Sequence, residues 1–322
     1  MLARSSPYTP MQTATFLNKR GIGKNQTWQN FMKTINYLAS IKIGVWLLIW
    51  AMALCKIHAD ELAKTNSLGE VKIVADVPYY EGKDADAERH RLDLYLPKDK
   101  TNFPVLMFVH GGGYQGGDRK LAEEFGRVFA RRGVAVAAIS YRLYPQVKHP
   151  CHIQDVARAF AWVKGNISKY GGDAESAFVS GHSAGAHLVS LLGTDESYLK
   201  AEKLTFKDIK GVLAISGGYR IQPIRMEVFG SEEGMRQASP FSHITGGHPP
   251  FLLIFGSEEK QERHDLSKEF RDALLKAKGE AECVEIKDRD HAGLFSQISD
   301  GDSTMEAMLK FIEKQDHGLA AF

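Results

Sequence analysis

Ala177-Phe178-Val179-Ser180-Gly181-His182-Ser183-Ala184-Gly185-Ala186-His187-Leu188-Val189-Ser190-Leu191-Leu192 runs from an apolar strand pattern, through Gly-x-Ser-x-Gly, into a helix-forming pattern. A serine between two glycines in that setting is the signature of a nucleophile elbow. The glycines permit a tight turn, so the hydroxyl stands exposed at the strand's end. The helix N-terminus that follows favours negative charge developing beside it. Ser183 is therefore the candidate nucleophile.

Working outward, short Val-, Ile- and Phe-rich runs alternate with helical patterns, which predicts a mostly parallel sheet with helices on both faces. The expected strands are Val71–Val77, Arg91–Leu96, Val105–His110, Val134–Ser140, Ala177–Gly181, Gly211–Ser216, Pro250–Gly256 and Ala281–Ile286. Between the fourth and fifth, Val156, Phe160 and Val163 recur at helical spacing. After the seventh, Leu266, Phe270, Ala273, Leu274 and Ala277 form a second helical stripe, with Gly279 as its stop.

A second motif, His110-Gly111-Gly112-Gly113-Tyr114, directly follows the strand ending at Val109. Glycines bring backbone N–H groups close to a bound group, as an oxyanion hole requires. Gly112 and Gly113 are the expected donors, joined by the N–H of Ala184, while His110 shapes the loop. Both motifs fall at carboxyl ends of strands, where open α/β sheets bind ligands.

Chain order in a fold with this elbow is nucleophile, acid, histidine. Of the twelve histidines, that order removes all before Ser183. His187 lies in the following helix, His317 in the tail, and His243, His248 and His264 fall before or beside the acid's loop. His291, in the polar loop Asp288-Arg289-Asp290-His291 after the last strand, is the expected base. The acid belongs in the loop after the Pro250–Phe255 strand. Glu259, third after Gly256, is the first choice and Asp265 the second. Glu258 points elsewhere, and Asp288 and Asp290 are close enough to His291 to fix its loop. His149-Pro150-Cys151-His152 is read as a Pro-bent helix start rather than a metal cluster. Cys151 and Cys283 are either paired or small buried hydrophobes.

Composition bounds the rest. At 43% hydrophobic and 25% charged residues the chain reads as globular, not disordered. Three cysteines exclude a disulfide scaffold. The formal charge of +2 gives no support for a nucleic-acid partner. That charge is unevenly placed: residues 1–59 hold seven basic and no acidic side chains. Residues 60–322 then carry 34 of the 41 basic residues against all 39 acidic ones, a net of −5. The leader contains an uninterrupted apolar run of 13 residues, Ile43–Cys55, too short for the ~30 Å hydrocarbon core of a bilayer. Lysines precede it and Ile57-His58-Ala59 precedes a cut at Asp60, the layout of a signal peptide. Met32-Lys33 would start a leader of ordinary length. The expected organisation is thus a leader, 1–59, and one catalytic domain, 60–322, exported to the periplasm or beyond, with no stable membrane span after processing. The alternative is an anchor through the apolar segment.

His110–Tyr114, Ser140-Tyr141-Arg142-Leu143-Tyr144-Pro145, Gln154–Val163, Tyr170-Gly171-Gly172-Asp173 and Gly181–Leu188, in that order, resemble the α/β-hydrolase superfamily. Within it the nearest likeness is to hormone-sensitive-lipase-related esterases, feruloyl-esterase-like proteins and arylformamidases, over nearly all of the chain from Val71. The resemblance implies an eight-stranded α/β-hydrolase fold without a large cap domain. It implies a Ser183, His291, Glu259 triad, with Gly112, Gly113 and Ala184 as oxyanion donors. Two departures stand out: His182 where many of these esterases have Asp, and Glu259 where Asp is usual. The Gly181–Leu188 stretch is especially similar to arylformamidases, although those commonly shorten the first motif to His-Gly-Gly-Tyr. The implied chemistry needs no metal or organic cofactor.

Tyr114, Tyr219 and Leu294, with Ile221 and Phe229, are the expected walls of a modest acyl pocket. The leading functional reading is an exported serine esterase acting on small or carbohydrate-linked acyl esters. An arylformamidase-like amide hydrolase comes second, since that activity is intracellular, and a non-catalytic binding protein third.

Overall fold

Alternation along a buried strand divides the core of this protein in two. In Phe103–Val109, the side chains of Phe103, Val105, Met107 and Val109 join one apolar cluster, while Leu106 and Phe108 join another across the sheet. Period-two side-chain direction produces that split, and a strand apolar on both faces must be covered on both.

The computed structural model describes residues 28–35, 50, 52–56 and 69–316. The chain divides into two units, Met1–Ser67 and Leu68–Phe322. In the first, the described residues are helical and exposed. Most of the apolar run Ile43–Cys55 and the cut expected at Asp60 lie outside the described residues. Among those described, no helix is long and apolar enough to cross a membrane.

The second unit is built on an eight-stranded sheet. Its strands are β1 (Val71–Pro78), β2 (Arg91–Pro97), β3 (Phe103–Val109), β4 (Ala135–Ile139), β5 (Gly172–His182), β6 (Gly211–Ile215), β7 (Phe251–Gly256) and β8 (Ala281–Ile286). Their order is β1-β2-β4-β3-β5-β6-β7-β8, antiparallel at β1–β2 and β2–β4 and parallel elsewhere. Each expected strand is present. The fifth starts at Gly172 instead of Ala177, because Gly172 already pairs with Phe103 beyond a register shift.

Five main helices cover the sheet: α1 (Glu123–Arg131), α2 (Cys151–Asn166), α3 (Ala184–Leu192), α4 (Gln261–Lys276) and α5 (Ser303–Gln315). Ile153, Val156, Phe160 and Val163 of α2 pack on one face with Leu188 of α3 and Phe270 of α4. Phe125, Val128 and Phe129 of α1 pack on the other with Met305, Met308 and Ile312 of α5. Phe160 is fully buried, and truncating such a ring to alanine costs about 3–5 kcal/mol. The stop of α4 differs from the expected one. Lys278, not Gly279, takes the left-handed conformation (φ 64°), while the N–H groups of Lys278 and Gly279 close on Leu275 O and Leu274 O at 2.9 and 3.0 Å. Cys151 and Cys283 are unpaired and each only partly buried, so the structure shows neither the pairing nor two fully buried hydrophobes.

In the parallel block, β3, β5, β6, β7 and β8 are consecutive neighbours. Their carboxyl ends therefore form one edge, and the loops leaving it carry His110–Tyr114, Ser183, Ser216, Glu259 and His291. Among the described residues, no large domain is inserted above that edge. The β6–β7 connection crosses it with two short α-helices, Met226–Phe229 and Glu232–Gln237, and two 3-10 turns, Pro223–Arg225 and Pro240–His243.

Candidate active site

The turn between β5 and α3 is strained at one residue. Ser183 has φ 57° and ψ −114°, a conformation that a side-chain-bearing residue holds only where its surroundings enforce it. Enforcement comes from both sides: Ser183 N–H donates to Ile215 O (2.9 Å) and its carbonyl accepts from His187 N–H (3.1 Å). The flanking glycines let the backbones approach. A methyl group at Gly181 would lie 2.5 Å from Gly185 C, and one at Gly185 only 2.0 Å from Val109 O.

Three side chains converge from β5, β7 and β8. Ser183 Oγ lies 3.0 Å from His291 Nε2, and His291 Nδ1 lies 3.0 Å from Glu259 Oε1. Glu259 is buried, and its second oxygen accepts the Gly256 N–H at 3.1 Å. Burial alone would raise the pKa of this carboxyl. Hydrogen bonds from His291, Ser216 and Gly256, with the charge of Arg263, outweigh it and hold the value at about 2. Glu259 is thus a carboxylate throughout the neutral range. Asp265 is exposed on α4 and accepts from Gln261 (2.8 Å); of the two candidate acids the structure brings Glu259 to His291. Asp290 Oδ1 accepts from Gly293 N–H at 2.7 Å and so fixes the loop of His291.

Sequence reasoning missed Ser216. Its hydroxyl donates to Glu259 Oε1 and lies 2.7 Å from His291 Nδ1, so the Nδ1–H faces two acceptors. Its only sequence signal is position, at the end of the strand beside the elbow strand. His182 acts through the backbone: its Nε2–H donates to the carbonyl of His291 at 2.7 Å, and its ring stacks on Phe295. Burial first, then the neighbouring His291, push its pKa down to about 4. A neutral imidazole therefore braces the loop of His291.

Gly112 and Gly113 have φ 108° and 63°. Their loop is closed by Gln115 and Gly116 N–H groups, both donating to Gly112 O at 3.1 Å. A methyl at Gly112 would lie 2.1 Å from Gly116 O, so no larger residue fits there unless the loop shifts. Among the described residues neither Gly112 nor Gly113 gives its N–H to another main-chain group. Ala184, as the first residue of α3, has an N–H without an intrahelical acceptor. His110 is buried, stacks on Tyr141 at 4.4 Å and lies 2.7 Å from Gly111 O, shaping the loop.

A cavity of about 230 Å³ opens beside Ser183, with Gly113, Tyr114, Ala184, Ile221, Arg225 and Arg263 in its wall. Gly112 does not line it. Three expected pocket residues are corrected. Tyr219 is fully buried and stacks on Phe270 at 4.3 Å. Leu294 is buried in the opposite core cluster, because the short helix Gly293–Ser296 turns its apolar side to the sheet. Phe229 is buried in the core, edge-on to Tyr114 at 5.3 Å, and does not line the cavity. The arginines of the wall carry no sequence signal, since nothing in their spacing separates them from surface charges.

This constellation offers a hydroxyl, an imidazole and a carboxylate in hydrogen-bonded sequence, with main-chain donors alongside, which is the equipment for acyl transfer. A family model described as BD-FAE matches residues 92–217. Isoprenylcysteine alpha-carbonyl methylesterase ICME of Arabidopsis thaliana is 32% identical over 238 residues, covering 66% of this chain and 56% of that protein. Kynurenine formamidase of Salmo salar is 25% identical over 277 residues, covering 79% and 90%. Among solved structures, a truncated carbohydrate esterase from gut microbiota superimposes with a TM-score of 0.66 at 21% identity, covering 77% of this chain and 97% of that one. The chain spans about half the length of the first curated relatives it matches.

Proposed function

We propose that this chain, whose fold is that of the α/β-hydrolases, is a serine carboxylic ester hydrolase acting on small acyl esters, those on carbohydrates included. The observation that carries this reading is the Ser183–His291–Glu259 line, both links at 3.0 Å, at the mouth of a small cavity. His291 Nε2 takes the proton of Ser183 as Oγ attacks the ester carbonyl. The tetrahedral oxyanion is held by N–H groups of the Gly112–Gly113 loop and of Ala184, each worth about 2.7–4 kcal/mol in the transition state. The proton passes to the departing alcohol, and water repeats the sequence on the acyl-enzyme. Glu259 keeps the Nδ1–H tautomer and stabilises the imidazolium.

Hydrolysis of an aryl formamide by the same groups is the second reading. It is favoured by the kynurenine formamidase match, which covers 90% of that relative. Export through residues 1–59 belongs to the first proposal and weighs against the second. The test is turnover of 4-nitrophenyl acetate beside N-formylkynurenine by wild type and Ser183→Ala. We expect faster ester cleavage and a loss of about 10⁴-fold or more in the variant. Faster formamide cleavage installs the second reading, and serine-independent turnover overturns both.

A further inference from the structure

The domain carries a net −5 over residues 60–322, yet the cavity beside Ser183 is lined by Arg220, Arg225 and Arg263 and, among the described residues, by no acidic side chain. Two of these cations are already committed. Arg220 pairs with Glu269 at 2.6 Å and lies over the Phe241 ring at 3.8 Å. Arg263 lies 3.5 Å from Glu259 and donates to Ser216 O and Oγ, both at 3.3 Å. Arg225 differs. It is half-buried and has no carboxylate partner among the described residues. Its place is fixed by the short turn Pro223–Arg225, whose last N–H donates to Gln222 O at 2.9 Å. A methyl group on Gly113 would lie 3.5 and 3.6 Å from its Nη1 and Nη2, so the fork of the guanidinium sits over the oxyanion loop.

A half-buried, unpaired guanidinium in the wall of a reaction cavity is matched to an oxyanion, which it can hold through two parallel hydrogen bonds. We infer that Arg225 binds an anionic group, a carboxylate or a phosphate, carried by the substrate in addition to its scissile ester. This deepens the esterase reading and rests on it: the substrates are acidic esters, selected by charge at the cavity wall. Binding is then helped by the cationic wall and weakened by salt.

The test uses two matched pairs: mono-4-nitrophenyl succinate against its methyl ester, and acetylglycerol 3-phosphate against acetylglycerol. The first places a carboxylate on the acyl side, the second a phosphate on the alcohol side. Wild type is expected to prefer the charged member of at least one pair by about tenfold in kcat/KM at low salt. Arg225→Gln should abolish that preference mainly through KM, Arg225→Lys should keep part of it, and 0.5 M NaCl should shrink it. Which pair responds tells carboxylate from phosphate. Equal turnover within both pairs, or a preference that survives Arg225→Gln, overturns the inference while leaving the esterase. An equal fall on charged and neutral members in Arg225→Gln also overturns it, by placing the guanidinium in service of the oxyanion loop. Failure of wild type on all four esters overturns the esterase reading and this inference together.

Discussion

His291 and the histidines beneath the cavity are the same side chain put to opposite uses. His291 is 38% exposed and has both ring nitrogens engaged, one toward Ser183 and one toward Glu259 and Ser216. His152 and His187 are buried around Tyr114 and Phe229. His187 has one nitrogen on Ala238 O at 2.6 Å and the other without a partner; His152 has neither bonded among the described residues. Burial pushes both down to about 4. A general base needs a proton acceptor open to the substrate and a carboxylate behind it. A buried imidazole without a carboxylate is a packing ring held neutral by its surroundings.

The largest effect separates the two kinds outright. His291→Ala should lower kcat by about 10⁴-fold or more while leaving the thermal midpoint close to that of wild type, since the side chain is partly solvated. His187→Ala should do the reverse. It empties a buried site and strands the carbonyl of Ala238, for a loss of about 2–4 kcal/mol, with kcat per folded molecule retained within a few-fold. Calorimetry and active-site titration on the same preparations check both. A His187→Ala protein that is stable and inactive would break the distinction.

Next in size is the pH dependence of stability. His110, His149, His152, His182 and His187 are each pushed down to about 4, chiefly by burial. In the unfolded chain they titrate near 6.5. Between those values the unfolded state binds more protons than the folded one, so stability rises with pH. It is fully present above about pH 6.5 and is lost as the pH falls toward 4, by about 1.4 kcal/mol per pH unit for each proton taken up. Glu259, held at about 2, adds to the loss only below its ordinary value near 4.5. Urea denaturation at pH 7, 6 and 5 measures the slope. A flat profile would mean that the buried rings are solvated or charged in the folded protein.

The same contrast explains what the sequence discloses. Strands announce themselves through runs such as Phe103–Val109, and the elbow through two glycines whose spacing is forced by backbone contact. His291 could be singled out because chain order removes its rivals. Loop position narrows the acid to Glu259 and Asp265, but the choice between them depends on which carboxylate turns inward. Tyr219 and Leu294 were misplaced for a related reason. An aromatic or leucine beside a site looks the same in sequence whether it faces the cavity or the core, and here both face the core. Ser216 and Arg225 carry no periodic or spacing signal at all. Their roles exist only once β6 lies beside β5 and the β6–β7 connection folds back over the edge.

Ser216 supplies the finest test of what distinguishes His291. Its hydroxyl gives its proton to Glu259 and accepts at His291 Nδ1, so it couples acid and base. Removing it leaves Nδ1–H with Glu259 alone, and a hydrogen bond involving charged partners is worth about 1.5–3 kcal/mol. The expected outcome for Ser216→Ala is a fall of about tenfold in kcat, with KM for a neutral ester little changed. A second variant isolates the cause. Ser216 sits at φ 51°, where alanine is as strained as serine but glycine is not. Ser216→Gly should therefore regain up to about 1 kcal/mol of stability over Ser216→Ala and still show the same loss of kcat. If glycine restored activity along with stability, backbone strain and not the hydroxyl would be what holds the imidazole in line.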